Sequence, residues 1–172
     1  MYIPNTTYLE KGMSITYENI RTARENLDRK LNEREFELQQ YAKEICREYT
    51  ESLAIGKQSW TDSSGKNHAY VKLGVIANGE FVHSAASCLK MDSDRVIHFA
   101  VSTIVNDDEV TGGDAYILRM HVRAHGNRVY VGIAGYPEEI TTSGSDGVGD
   151  FLYVSSVMKS VVLRGLIDPR LD

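Results

Sequence analysis

Between Tyr116 and Ala134 the chain reads YILRMHVRA, then His125-Gly126, then NRVYVGIA: two alternating runs joined by a turn signal. Period-two alternation puts every second side chain on one face, so this stretch predicts a β-hairpin with defined faces. With His125-Gly126 as a two-residue turn, Ala124 faces Asn127, Val122 faces Val129, Met120 faces Val131 and Leu118 faces Ile133. That face is apolar and belongs to a core. The other carries Arg119, His121 and Arg123 against Gly132, Tyr130 and Arg128. On this register Arg123 opposes Arg128, a like-charge pair costing a few tenths of a kcal/mol unless an acidic group lies over it.

A second hairpin is marked by Asn78-Gly79, the strongest short-range signal for a type I′ turn, between Tyr70–Ile76 and Glu80–Ser87. Val71, Leu73 and Val75 then share a face with Val82, while Lys72 and Ile76 share the other with Phe81 and His83. Arg95 to Val105, RVIHFAVSTIV, has the β-branched, apolar character of a central strand, and His98 inside it reads as a hydrogen-bonded core histidine.

Residues 16–54 contain neither Pro nor Gly and are rich in Glu, Arg, Lys, Leu and Ala, which predicts helix throughout. Ile20, Leu27 and Tyr41 lie on one heptad row, and Leu31, Leu38 and Ile45 on the other, with Arg24 and Arg34 interrupting. Asn32 followed by Glu35 resembles a capping box, so a helical hairpin turned near Leu31 is the alternative to one helix. Unbroken, the segment spans roughly 55–60 Å and outreaches any ordinary strand. Such a helix invites a protein partner or a second copy. Near the C-terminus Phe151, Val154, Val157, Met158, Val161, Val162 and Leu166 recur at helical spacing behind Asp150, a candidate N-cap.

The architecture expected is therefore one α+β domain over residues 1–172. It has an extended lead-in at 1–13, helix at 16–54, an antiparallel sheet of about five strands at 68–134, and a helix at 150–166 packed on the sheet. A chain of 172 residues with 42% hydrophobic and 25% charged residues suits such a core without a disulfide or metal. Cys46 and Cys88 are expected to be free thiols. No basic n-region precedes an apolar run and no apolar stretch approaches eighteen residues, so a cytoplasmic location without membrane contact is expected.

Catalytic signatures are absent: there is no GxSxG elbow, Walker loop or dinucleotide fingerprint. The Gly/Ser stretch Thr141–Asp150 reads as an ordinary loop. His121 and His125 have the i, i+4 spacing of a helical metal pair, but on a strand they stand about 13 Å apart, so no metal is expected there. The acidic loop Asn106–Asp114 lacks the ligand spacing of a calcium loop. No cofactor is implied.

The remaining constellation is Arg119, His121, Arg123, Arg128 and Tyr130, extended by Lys72 and His83 if the second hairpin shares the face. Guanidinium groups on a rigid sheet suit carboxylates or phosphates. Three occupants fit: glutamates of the long helix (Glu33, Glu35, Glu37, Glu44 or Glu48), an acidic protein partner, or a nucleotide or single-stranded nucleic acid. A nucleic-acid platform carries more than one aromatic, and the net charge of −5 has no basic arm, so nucleic acid is disfavoured. The function expected is a non-enzymatic binding protein that occupies another macromolecule, as an inhibitor, immunity-type antagonist or secretion-type chaperone does. A ligand-binding or sensory domain for an anionic small molecule or nucleotide is the alternative, and a hydrolase or transferase using His98, His121 or His83 is third.

Overall fold

Thr16 opens the first helix by reciprocal capping: the Asn19 backbone N–H donates to Thr16 Oγ1, and the Thr16 N–H donates to Asn19 Oδ1 at 2.9 Å. The computed structural model describes residues 14–144 and 149–171, so the lead-in at 1–13 and the middle of the Gly/Ser stretch lie outside the described residues. From that cap α1 runs unbroken over Tyr17–Ser52. The alternative of two helices does not occur. Glu35, the supposed capping partner of Asn32, instead accepts from the Met91 backbone N–H at 3.0 Å and pairs with Lys90.

The chain divides into two compact units, Met1–Arg34 and Glu35–Asp172. In the first, α1 is laced by the i,i+3 and i,i+4 pairs Glu18–Arg21, Arg24–Asp28 and Arg29–Glu33. Each contributes only about 0.3–0.5 kcal/mol.

The second unit contains two sheets. The short β1 (Trp60–Thr61) and β2 (Asn67–His68) pair with each other. The main sheet has six strands: β3 (Val71–Ala77), β4 (Glu80–His83), β5 (Val96–Ile104), β6 (Ala115–His125), β7 (Arg128–Ile133) and β8 (Ile140–Thr142). Their order is β4-β3-β5-β6-β7-β8, with each neighbouring pair antiparallel. The sixth strand lies in a stretch that the sequence assigned to turn and loop; three residues are too short to show an alternation.

Asn78 and Gly79 both have positive φ, 51° and 81°, as a type I′ turn requires. The β6–β7 turn differs from expectation. Its central residues are Gly126 and Asn127, with His125 opposite Arg128, Arg123 opposite Tyr130 and Met120 opposite Ile133. Gly126 has φ of 58° while Asn127 is not in the left-handed region, the pattern of a type II′ turn with glycine first. The slip is two residues, so both faces keep their members, but the like-charge pair of Arg123 and Arg128 is removed.

One face of the sheet holds the core. Ile97, Phe99 and Val101 of β5, Leu118, Met120 and Val122 of β6, and Val129, Val131 and Ile133 of β7 bury against Leu38, Ala42, Ile45 and Tyr49 of α1. Val154, Met158 and Val161 of α2 (Leu152–Gly165) complete it. The Tyr49 hydroxyl bonds Thr103 Oγ1 at 2.8 Å, and Gln39 Nε2 donates to the Leu89 carbonyl at 2.8 Å. Asp150 is not the N-cap of α2: Phe151 is, and it makes no side-chain cap. The buried carboxylate of Glu48 serves instead, accepting from the backbone N–H groups of Gly149 at 2.8 Å and Phe151 at 3.0 Å. A helix start with unpaired donors favours such an anion whichever element supplies it.

Candidate functional site

The second face of the main sheet carries the even-numbered residues of β5 and the odd-numbered residues of β6, and neither helix of this unit packs on it. His98 therefore points away from the core that its apolar neighbours suggested, with a side chain 67% exposed. Its ring is held by Asp92, whose Oδ2 lies 3.1 Å from Nε2. Asp92 Oδ1 meanwhile accepts from the backbone N–H groups of Asp94 and Val96, closing a turn in which Arg95 takes a positive φ. The Val96 N–H above all holds the Asp92 carboxyl below its ordinary value.

His121 is the direct cross-strand neighbour of His98, and their ring centres are 5.9 Å apart. The His121 ring lies over Gly132 on β7, where any Cβ would collide with it. This close approach requires glycine. Nε2 of His121 lies 2.9 Å from Glu139 Oε1, and Arg123 grips the same carboxylate with Nε at 3.0 Å and an Nη at 2.6 Å. Arg123 also lies 4.1 Å from the centre of the Tyr130 ring, a cation–π contact made by its cross-strand neighbour. Arg123 above all, then His121, draws the Glu139 carboxyl down to about 2.

Arg119 differs from His98, His121 and Arg123. It lies opposite Ala100, is exposed, and its guanidinium has no ion-pair or hydrogen-bond partner among the described residues. His98, Arg119 and His121 line one cleft of about 280 Å³, walled by Tyr136, Pro137 and Glu139.

Arg119, His121, Arg123 and Tyr130 thus come together. Arg128 does not join them; it stands at the hairpin mouth opposite His125 and lines a separate cleft with Glu37 and Tyr41. Lys72, opposite Ser102, shares this face of the sheet but stands two strands from β6. His83 is in a third place, its Nδ1 against the Leu73 carbonyl at 2.9 Å, lining a cleft of about 460 Å³ with Cys46 and Arg47 of α1. Burial pushes the Cys46 thiol up to about 11. His125 does not join His121, and no group of three or more metal-binding side chains converges among the described residues.

The acidic group over the basic face is Glu139, from the β7–β8 connection, and not a helix glutamate. Glu33 pairs with Arg29, Glu35 with Lys90, Glu37 with Tyr41, Glu44 with Arg47, and Glu48 caps α2. Asp92 and Glu139 are site members that the sequence reading does not name, and His98 enters it only for the hydrolase or transferase reading. The available signal was parity: with Ile97, Phe99 and Val101 on the core face, His98 had to share a face with Arg119 and His121.

A second candidate surface is α1 before residue 35. Tyr17, Ile20 and Leu27 are exposed there, with Ile20 at 58% and Leu27 at 46%. No helix is long and apolar enough to cross a membrane among the described residues. Comparison with protein-family models, curated proteins and solved structures finds no match.

Proposed function

We propose that this chain is a cytoplasmic binding protein that works by occupying another macromolecule, in the manner of an inhibitor, an immunity-type antagonist or a secretion-type chaperone. The surface it uses is α1 before residue 35. One observation carries this reading. The heptad stripe of α1 is buried at Leu38, Ala42, Ile45 and Tyr49, yet the same stripe is solvent-exposed at Tyr17, Ile20 and Leu27. Surface ion pairs and a single cap give a helix of this length only marginal stability in isolation, so an apolar row along it gains most from being covered. Full burial of each such side chain is worth about 1.5–3 kcal/mol.

The test is affinity capture of the full chain from its source cells, beside the double variant Ile20→Asp, Leu27→Asp. The expected result is a stoichiometric partner on the parent chain that the variant loses while its melting temperature holds, since neither residue is in the core. A second copy of the chain, lost in the same way, would make the partner a homo-oligomer. Identical complexes on both chains, or none on either, would sink the reading.

A further inference from the structure

The open sheet face carries a second inference that is independent of α1. We propose that the cleft formed by His98, Arg119 and His121 is an acid–base site that cleaves a phosphodiester bond of single-stranded RNA.

Both imidazoles are held in the same manner. Asp92 Oδ2 lies 3.1 Å from Nε2 of His98, and Glu139 Oε1 lies 2.9 Å from Nε2 of His121. An ionised carboxylate only accepts, so Nε2 of each ring is the N–H and Nδ1 is its basic nitrogen. Both carboxyl groups are held below their ordinary values and are ionised at neutral pH. A carboxylate that fixes tautomer and orientation while the second nitrogen meets substrate is the arrangement general acid–base catalysis needs.

The Asp-to-His spacing alone does not establish this. Asp62 and His68 repeat it: Asp62 Oδ1 accepts from Ser64 and Lys66 while Oδ2 lies 2.7 Å from His68 Nε2. There the ring stacks on Trp60, with no second histidine beside it. His98 differs in having His121 directly across the strand pair, 5.9 Å between ring centres, with both rings lining one cleft. Arg119 lines the same cleft with an uncommitted guanidinium, whose planar donors match the non-bridging oxygens of a phosphate.

Two imidazoles and one guanidinium suit in-line displacement at phosphorus, in which one proton is removed from the nucleophile and one is delivered to the leaving group. RNA brings its own nucleophile. One imidazole takes the proton of the 2′-hydroxyl as the O2′–P bond forms. The other, protonated, gives its proton to O5′ as the P–O5′ bond breaks. The products are a 2′,3′-cyclic phosphate and a 5′-hydroxyl, and exchange with water restores the two imidazoles. No further reactant is consumed. The single aromatic on the hairpin face and the net charge of −5 without a basic arm disfavour a base-stacking platform and a long phosphate-tracking surface, whereas this cleft needs only Arg119 to engage one phosphodiester.

The experiment uses the full chain and a single-stranded RNA oligonucleotide with a fluorophore and a quencher at its ends, beside a DNA oligonucleotide of the same sequence. The expected result is RNA cleavage that leaves cyclic phosphate ends, with the DNA intact. His98→Ala and His121→Ala should each lower the rate about 100-fold or more, and Arg119→Ala about 10-fold or more. His98 and Arg119 are exposed and His121 is half-buried outside the core, so the melting temperature should hold. If His121→Ala unfolds, His121→Asn keeps a planar group over Gly132 and replaces it. Glu139 is a positioning residue, so Glu139→Gln should lower kcat with KM retained. Intact RNA after prolonged incubation overturns the proposal, as does equal cleavage by the parent chain and the His98→Ala, His121→Ala double variant, or cleavage of the DNA.

Discussion

The two faces of the main sheet are built from the same strands by opposite means. On the covered face Ile97, Val122 and Val131 lose all contact with water against α1 and α2, and no ion pair is involved. On the open face the side chains are held by pairing: His98 by Asp92, and His121 and Arg123 by Glu139. Burial is non-directional and tolerates exchange among side chains of similar volume. The open face instead has directional bonds in contact with solvent, so its contribution to stability is small while its placement of groups is specific.

Ile45→Ala, on the covered face, is expected to lower unfolding free energy by about 2–5 kcal/mol in a denaturant titration, because α1 cannot close over the space left. Arg119→Ala in the same experiment should lie within about 0.5 kcal/mol of the parent. Equal losses would erase the distinction between the faces. Glu48→Ala comes next at about 2–4 kcal/mol, since it leaves the Gly149 and Phe151 N–H groups without an acceptor at the start of α2. Circular dichroism should report lost helix as well as a lower midpoint.

The open-face cluster is worth less. A double-mutant cycle on Arg123→Ala and Glu139→Ala should give a coupling of about 0.5–1 kcal/mol. Its pH dependence has a definite sign. Folding depresses the Glu139 carboxyl from 4.5 to about 2, so its contribution is complete above roughly pH 5 and falls away as the pH drops through about 2. A coupling that grew on acidification would contradict the geometry. The smallest effect concerns the cysteines. Cys88 is exposed, whereas burial raises the Cys46 thiol to about 11, so iodoacetamide should modify Cys88 first, with peptide mapping as the readout.

Patterns that repeat along the chain were legible, and contacts between distant segments were not. The Pro- and Gly-free run marked α1 to within two residues at each end, and Asn78-Gly79 set the β3–β4 register because both positions need positive φ. At the β6–β7 turn the same chemistry pointed one residue away: Gly126 is the residue that takes the left-handed conformation first, which makes Asn127 its partner in place of His125. The faces survived because a two-residue slip preserves parity. Glu139 and Glu48 were invisible as partners of Arg123 and of α2. They are 16 and 103 residues from the groups they hold, and neither lies in a local motif. The apolar run around His98 predicts a buried side chain; Ala100 and Ser102 on the same face of β5 are buried, whereas His98, nearer the start of the strand, is exposed.

Native mass spectrometry of the full chain, purified gently from its source cells, tests the proposed occupation of a partner most directly. The expected spectrum contains a complex heavier than the protomer by an integral partner, and the Ile20→Asp, Leu27→Asp variant reverts to protomer mass. A parent chain that flies as the bare protomer, with α1 unpartnered, would contradict it.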